Sequence, residues 1–237
     1  MLPRASRGND LTIYSEFAAE WWTPGSARFR SLQNITPFRL ELIRRGCGSM
    51  SGRTVYDLGC GGGLIAVPLL EMGADVVGVD LSAPSIAAAQ QAAAGRGRFL
   101  VADVCAVPLP EGSADVVLLA DVLDHVPDFP RALGEAARLL KPGGRLFVGT
   151  LNRTVWAYLG AIALGEGLRL IPPGTHRYSM FIRPHELRTA AERCGLKWCE
   201  TFGESVSVFE TIRRWAITLQ HGKSCALAYS MTFAKVL

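Results

Sequence analysis

The chain has 237 residues, a net charge of +4 and a hydrophobic fraction of 49%. This length suffices for one α/β domain with a sizeable core. The charge excess is modest and its Lys and Arg residues are scattered, which argues against a nucleic-acid-binding surface. No apolar run approaches the roughly 20 residues of a membrane span, and the polar N-terminus lacks the apolar core of a secretory signal. These features predict a cytoplasmic protein with reduced cysteines.

In chain order, the stretch to about Arg45 is expected to be helical, with Trp21 and Trp22 inside it. The middle of the chain then alternates two kinds of segment. Apolar runs flanked by Gly or Asp predict buried parallel strands at 54–58, 75–80, 98–104, 114–119 and 145–150. Ala-rich segments predict helices at 63–72, 83–94 and 130–140, the second with Ser82 as its N-cap.

The last part of the chain predicts a helix at 186–194 and strands at 197–202 and 226–236. Together these elements predict an α/β fold with a doubly wound, mostly parallel seven-stranded sheet of the Rossmann-like type. We expect a single domain over 1–237. Its parts are an N-terminal helical segment (1–50), a core (51–151), an insertion (152–185) and a C-terminal helix with strands (186–237).

The most informative motif is a glycine-rich loop, Asp57-Leu58-Gly59-Cys60-Gly61-Gly62-Gly63, between the first predicted strand and helix. Glycines there allow a sharp turn and a close approach of a ligand to the backbone. A turn that merely closes a βα unit is the structural alternative.

Acidic residues at the ends of the next strands favour a nucleoside-containing ligand. Asp80 is placed to accept hydrogen bonds from ribose hydroxyls, and Asp103 to meet an adenine amino group. A dinucleotide such as NAD(P) is the rival cofactor, but Asp57 would repel its pyrophosphate. The amino group and sulfonium of S-adenosylmethionine (SAM) fit an acidic lining better.

The pattern DLGCGGG…VDLS…ADV resembles the class I SAM-dependent methyltransferases. That resemblance implies cofactor contacts at Asp57, Gly59, Gly61, Asp80, Leu81, Asp103, Val104 and Ala120.

Further blocks resemble the O-methyltransferases of ubiquinone biosynthesis, which methylate catechol-type polyprenyl intermediates. They are FAAEWW (17–22), NITPFRL (34–40), HVPD (125–128), LNRT (151–154), PGTH (173–176) and FIRP (181–184). The resemblance extends to about Gly195 and weakens beyond it. It implies that Arg39 contacts the SAM carboxylate, a role that suits a bidentate guanidinium.

The same resemblance implies an acid-x-x-acid-His motif linked to a divalent metal, Mg or Zn. Here the motif reads Asp121-Val122-Leu123-Asp124-His125, with aspartates where the family usually has glutamates. Asp121, Asp124 and His125 are therefore the candidate catalytic residues and metal ligands. A metal would acidify the acceptor hydroxyl, or His125 would act directly as base. A loop histidine packed under the cofactor is the structural alternative.

The apolar segment 155–171 matches a family region that touches membrane, which implies peripheral contact at the inner membrane surface. A lid or a buried helix is the alternative. His176, Arg177 and His185 are interpreted as ordinary surface residues. The expected acceptor is an aromatic or lipid-like small molecule. A methyltransferase of specialised metabolism with a soluble acceptor, and a non-catalytic scaffold of the same fold, are the competing hypotheses.

Overall fold

The computed structural model describes residues 9–236. The N-terminal region contains helix α1 (Thr12–Glu16), a 3₁₀ turn (Ala18–Glu20) and helix α2 (Arg30–Cys47). The stretch to about Arg45 that was expected to be helical is therefore interrupted between α1 and α2. Pro24 and Gly25 lie in the interruption, and Gly25 has a φ of +70°, which a helix does not accommodate.

One sheet organises the described residues. Its strands are β1 (Thr54–Leu58), β2 (Asp75–Asp80), β3 (Arg98–Val101), β4 (Ala114–Ala120), β5 (Leu140–Leu151), β6 (Leu196–Val206), β7 (Leu219–Gly222) and β8 (Ala228–Lys235). The strand order is β3-β2-β1-β4-β5-β8-β6-β7. The pairings from β3 to β5 are parallel, and those that involve β8 and β7 are antiparallel.

The predicted α/β class and mostly parallel sheet are confirmed, but the strand count of seven is wrong, since the described residues form eight. Strand β6 continues to Val206, past the predicted end at 202. Its last residues would leave unpaired backbone groups at an edge, and β7 covers them by pairing Gly203 to Val206 with Gly222 to Leu219. This short edge strand lies in the part of the chain where the family resemblance weakens.

Helices α3 (Ala66–Glu71), α4 (Ala83–Ala93) and α5 (Phe129–Leu139) follow β1, β2 and β4 near their predicted positions. Ser82 caps α4 as expected, accepting a hydrogen bond from the Ser85 amide at 3.2 Å. Later come a short α6 (Val155–Ala157) that runs into a π-helix (Tyr158–Glu166), then α7 (Pro184–Arg193) and α8 (Val208–Arg214). None of the helices within 9–236 combines the length and apolarity needed to cross a bilayer.

The sheet is covered on both faces because its central strands alternate apolar side chains between two cores. In β4, Val117 and Leu119 belong to one core, and Val116 and Leu118 to the other. The strand order reverses between β1 and β4: the chain leaves β1 toward β2 on one side and leaves β4 toward β5 on the other. At such a switch point a crevice opens beyond the carboxyl ends of the strands.

Replacing a core residue of the central strand is expected to destabilise the protein strongly. Leu119 is fully buried, so Leu119→Ala should lower the free energy of unfolding by about 2–5 kcal/mol through lost burial and a cavity. Urea unfolding measures the change. Leu168→Ala, at a half-exposed leucine, should cost less than about 1 kcal/mol. Equal effects of the two substitutions would contradict the described burial.

Candidate active site

A cavity of about 830 Å³ lies beyond the carboxyl ends of β1, β2 and β4. This volume suits a drug-sized ligand. Of the predicted site residues, those that line it are Arg39, Asp57, Gly59, Gly61, Asp80, Leu81, Val104, Ala120, Asp121, Asp124 and His125.

Asp103 is the predicted site residue that does not line the cavity. Strand β3 ends at Val101 rather than at 104, so Asp103 lies in the following turn. Its side chain accepts a hydrogen bond from the Cys105 amide at 2.8 Å. Asp103 is exposed, while the adjacent Val104 is buried and faces the cavity.

The glycine loop turns as the motif requires, and a tryptophan packs against it. Gly59 and Gly61 have φ values of +80° and +51°, which glycine adopts without strain. A Cβ at Gly61 would lie 2.7 Å from the Trp21 ring. The indole of Trp21 donates to Ser85 Oγ at 3.0 Å, and that of Trp22 to the Gly62 carbonyl at 2.8 Å. The two tryptophans therefore fasten the N-terminal region over the loop.

Two aspartates at this loop differ in how their charges are compensated. Asp80 accepts hydrogen bonds from the Gly61 amide at 2.9 Å and from the Ser82 amide at 2.8 Å. Asp57 is buried, and its Oδ2 atom has no hydrogen-bond partner within the described structure. Burial, and secondarily the negative charge of Asp80, raises the pKa of Asp57 to about 7.

Arg39 occupies the centre of a buried ion-pair network. It donates two bonds to the Asp121 carboxylate, at 2.6 and 2.8 Å, and one to Glu204 Oε1 at 2.5 Å. Glu204 also accepts from Ser230. Burial disfavours the charged form, but Asp121 and Glu204 outweigh it and raise the pKa of Arg39. Asp121 itself has a φ of +58°, so the backbone is held in the left-handed region to present this carboxylate.

The predicted trio of Asp121, Asp124 and His125 is not gathered at one point. Asp121 faces Arg39, whereas Asp124 and His125 lie with His176, and one ligand atom from each of these three falls within 4.8 Å of the others. The side chain of His176, expected at the surface, is only 12% exposed and lines the cavity.

In both histidines a polar group contacts Nδ1, while Nε2 lies 3.9 Å from the Asp124 carboxylate. The Asn9 amide contacts His125 Nδ1 at 2.7 Å, and Glu166 Oε1 lies 3.2 Å from His176 Nδ1. Burial, against the attraction of Asp124, lowers the pKa of His125, which keeps its imidazole neutral at pH 7. Burial also acts to raise the pKa of Glu166, but hydrogen bonds from His176 and backbone amides prevail and lower it.

Several cavity residues escaped sequence reasoning. Asn9 and Tyr14 lie in a segment without motif character, and only the fold brings them to the cavity. His176 lies in the PGTH block, whose position in space the sequence does not give. Glu166 could have been found, because it is the single acid in the apolar stretch 155–171. A carboxylate buried there would need a polar partner.

Comparisons with known proteins agree with this geometry. Residues 56–148 match the family model described as a methyltransferase domain. The chain is 41% identical to a ubiquinone biosynthesis O-methyltransferase of Bordetella avium over 79% of this chain and 80% of the relative. It is 39% identical to the protein of the same name from Nitrosococcus oceani over 80% of this chain and 81% of the relative.

Solved structures share the fold. A magnesium protoporphyrin IX methyltransferase from Synechocystis PCC 6803 with bound SAH matches with a TM-score of 0.67 at 18% identity, covering 94% of this chain and 97% of that one. A possible histamine N-methyltransferase from Thermotoga maritima matches with a TM-score of 0.63 at 24% identity, over 94% and 98% of the two chains.

These matches exclude a nicotinamide oxidoreductase, and the level of identity over most of both chains settles the family. The chain is a SAM-dependent methyltransferase that belongs to the family of ubiquinone biosynthesis O-methyltransferases.

Proposed function

We propose that the chain transfers the SAM methyl group to a catechol-type hydroxyl of a polyprenylated ubiquinone precursor. The relatives' names supply the O-methyl transfer and the pathway, and the family resemblance supplies the catechol-type acceptor. The observation that carries the proposal is that one cavity joins the glycine loop to the Asp124–His125 turn. Between these ends it is walled by apolar side chains, among them Leu32, Ile35, Leu151, Leu170, Ile171 and Leu227.

The end of the cavity at the glycine loop is the proposed SAM-binding end, because of its charges and of a hydrogen-bond acceptor that has no partner. The unpartnered Oδ2 of Asp57 is suited to accept a hydrogen bond from the SAM ammonium group. Asp80 is suited to the ribose hydroxyls, and Leu81, Val104 and Ala120 to the faces of the nucleoside. Asp103 lies outside the cavity lining, so the described geometry gives no support to its expected contact with the adenine.

Arg39 is the proposed partner of the SAM carboxylate. To take that role it has to exchange one of its two carboxylate partners, Asp121 or Glu204, for the cofactor. The cofactor carboxylate has to displace the Asp121 carboxylate, whose side chain is 28% exposed. Glu204, with a fully buried side chain, stays in place and keeps the guanidinium oriented. Asp121 thus holds the position beside Arg39 that the cofactor carboxylate would take.

The reaction is a direct displacement. The acceptor oxygen forms a bond to the sulfonium methyl while the carbon–sulfur bond breaks, and its electron pair goes to sulfur. The hydroxyl proton has to leave, and because a free phenol has a pKa of about 10, a group that accepts this proton or acidifies the hydroxyl is expected. His125, neutral at pH 7, is one acceptor for that proton. Apolar walls and the packed N-terminal region exclude water and align the two substrates.

A divalent cation is the other means of acidifying the hydroxyl, and the residues present fit one. Asp124 and the two histidines offer oxygen and nitrogen donors within 4.8 Å of one another. When bound, such an ion supplies Lewis-acid stabilisation of an oxyanion.

Peripheral membrane contact through 155–171 is supported by the exposure of this segment. Apolar side chains that face solvent there are Val155, Trp156, Tyr158, Leu159, Leu164 and Leu168. The opposite side packs through Ala157 and Ala161 against Phe181. Gly160 and Ala161 also line the cavity, so the exposed face adjoins the route by which a lipid-like acceptor would enter.

A methyltransferase of specialised metabolism with a soluble acceptor is the second candidate. One observation favours it. Val206, Ile217 and Leu219 line the cavity from the region where the resemblance to the family weakens, so this part of the wall lies outside the sequence blocks that carry the resemblance.

Methyl transfer tests the proposed function directly. We expect SAM but not NADH to bind in calorimetric titration, and a prenylated catechol to be methylated with a higher kcat/KM than the same catechol without its chain. Asp80→Ala should weaken SAM binding about tenfold to a hundredfold through lost charge-assisted hydrogen bonds. Asp75→Ala, at the exposed start of the same strand, is the matched control. A preference for the unprenylated catechol would favour the second candidate.

SAM affinity should depend on pH through Asp57. The raised pKa means that Asp57 is partly protonated near pH 7 in the free protein, whereas an ammonium ligand favours its ionised form. Affinity should therefore rise from about pH 6 to about pH 8, with protons released on binding. Calorimetry in buffers of different ionisation enthalpy measures that release. Asp57→Asn should abolish it, and an unchanged proton release in that variant would contradict the assignment.

Vesicle binding tests the membrane proposal. Trp156→Ser combined with Leu164→Ser should weaken partitioning onto phosphatidylglycerol-containing vesicles by about tenfold or more, given the apolar area lost. Flotation assays measure this. Met72→Ser with Val101→Ser, both exposed apolar residues elsewhere, is the control pair. Equal partitioning of all three proteins would exclude 155–171 as the contact.

A further inference from the structure

Helix α8 carries apolar side chains that the rest of residues 9–236 leaves uncovered. Val208, Phe209 and Ile212 are between 65% and 74% exposed, and Trp215, which directly follows the helix, is also exposed. Positions 208, 209 and 212 fall on one side of the helix, because about 3.6 residues make one turn. Large exposed apolar side chains grouped in this way are typical of an interaction surface.

This helix adjoins the cavity. Val206 before it and Ile217 and Leu219 after it line the cavity. The buried Thr211 accepts a hydrogen bond from the Thr218 amide at 3.0 Å, which fixes the inner side of the helix. The apolar side chains of α8 therefore lie beside the wall of the site rather than on a remote part of the molecule.

A serine of α2 connects this region to the exposed apolar segment 155–171. Ser31 Oγ donates to the Leu170 carbonyl at 2.6 Å and accepts from the Ile217 amide at 3.0 Å. Leu170 and Ile217 both line the cavity. The two exposed apolar regions thus flank one cavity and are tied to the same turn of α2.

The charges beside the apolar side chains favour an anionic partner. Arg213 and Arg214 are half-exposed and share one carboxylate, that of Glu210, at 2.6 and 3.1 Å, so the helix keeps an excess positive charge. Arg169 adds an exposed positive charge at the end of the other region. Apolar side chains bordered by basic ones are complementary to a bilayer that contains anionic lipids.

A second copy of the chain fits this surface less well. A symmetric dimer would bring two helices of like net charge together. A stable interface also needs roughly 800 Å² from each partner, more than one helix of seven residues offers.

We propose that α8 is a second membrane contact, which together with 155–171 seats the cavity on a bilayer that contains anionic lipids. Each region includes an exposed tryptophan, Trp156 or Trp215, a residue enriched where proteins meet lipid headgroups. The acceptor then enters the cavity from the bilayer between the two contacts. The proposal rests on the proposed function for its lipid-like acceptor, whereas α8 itself lies outside the sequence blocks that carry the family resemblance.

Vesicle partitioning of separate variants tests each contact by itself. Phe209→Ser with Ile212→Ser, in a full chain with 155–171 unaltered, should weaken partitioning onto phosphatidylglycerol-containing vesicles about tenfold or more. Met72→Ser with Val101→Ser, at exposed apolar residues elsewhere, should partition like the unaltered protein. Flotation measures both. Equal partitioning of the α8 variant and the unaltered protein would overturn the proposal.

The charge contribution has its own pair of variants. Arg213→Gln with Arg214→Gln should weaken binding to phosphatidylglycerol-containing vesicles about tenfold and leave binding to pure phosphatidylcholine vesicles unchanged. Arg188→Gln with Arg193→Gln, at exposed arginines of α7, is the matched control. An equal loss in both pairs would indicate a general attraction of the positively charged chain and overturn the role of α8.

Fluorescence quenching reports insertion rather than mere association. Brominated lipids quench tryptophans that enter the bilayer. Trp215→Phe should therefore remove part of the quenched emission, whereas Trp198→Phe, at an exposed tryptophan of β6, should leave that part unchanged. Quenching that is the same with and without Trp215 would contradict the proposed contact.

Size-exclusion chromatography and enzyme assays of the Phe209/Ile212 variant identify the other outcomes. A concentration-dependent dimer that this variant abolishes, in a protein that does not bind vesicles, would assign the surface to a second copy and overturn the proposal. Unchanged partitioning with SAM binding and catechol methylation intact would overturn the α8 contact and leave the proposed function standing. Weakened partitioning in a protein that methylates no catechol would support the contact and overturn the proposed function.

Discussion

The buried guanidinium of Arg39 is the interaction on which the site depends. It connects α2 to the turn after β4 and to β6, three elements far apart in the chain, through Asp121 and Glu204. Removing one partner of a buried ion pair typically costs about 3–5 kcal/mol, because the other charge is left uncompensated. The network therefore fixes the relative positions of the elements that form this wall of the cavity. It also places the guanidinium at the cavity, where we propose that it meets the cofactor carboxylate.

Around this cation the carboxyl ends of the strands concentrate negative charge. Asp57 and Asp80 lie at the carboxyl ends of β1 and β2, and Asp121 directly follows β4. These ends meet at one edge because the strands are parallel. Each carboxylate has a different compensation: backbone amides for Asp80, Arg39 for Asp121, and none among the described groups for Asp57. An acidic lining with one unpaired oxygen suits a ligand that carries an ammonium and a sulfonium group and no phosphate.

The acceptor side is assembled from segments outside the parallel core. The π-helix supplies both an exposed apolar face and Glu166, which reaches inward to His176. The N-terminal region closes the opposite side through Trp21 and Asn9. The proposed membrane contact, the proposed entry of the acceptor and the orientation of the His176 imidazole therefore all involve one short segment, 155–176.

The sequence alone determined the parallel core and the cofactor loop, because both depend on local patterns: apolar runs of strand length, glycines that permit positive φ, and acids at strand ends. It also determined the family, through blocks such as the paired tryptophans. The strand count was wrong, and Asp103 was expected at the end of β3, which in fact ends at Val101. Strand ends are decided by pairing partners, which local sequence pattern does not contain. The pairing of Arg39 with Asp121 and Glu204, and the meeting of His176 with Asp124, were decided by tertiary structure alone. Each joins residues more than 50 positions apart, and no periodicity or spacing encodes which distant charge a buried group will meet.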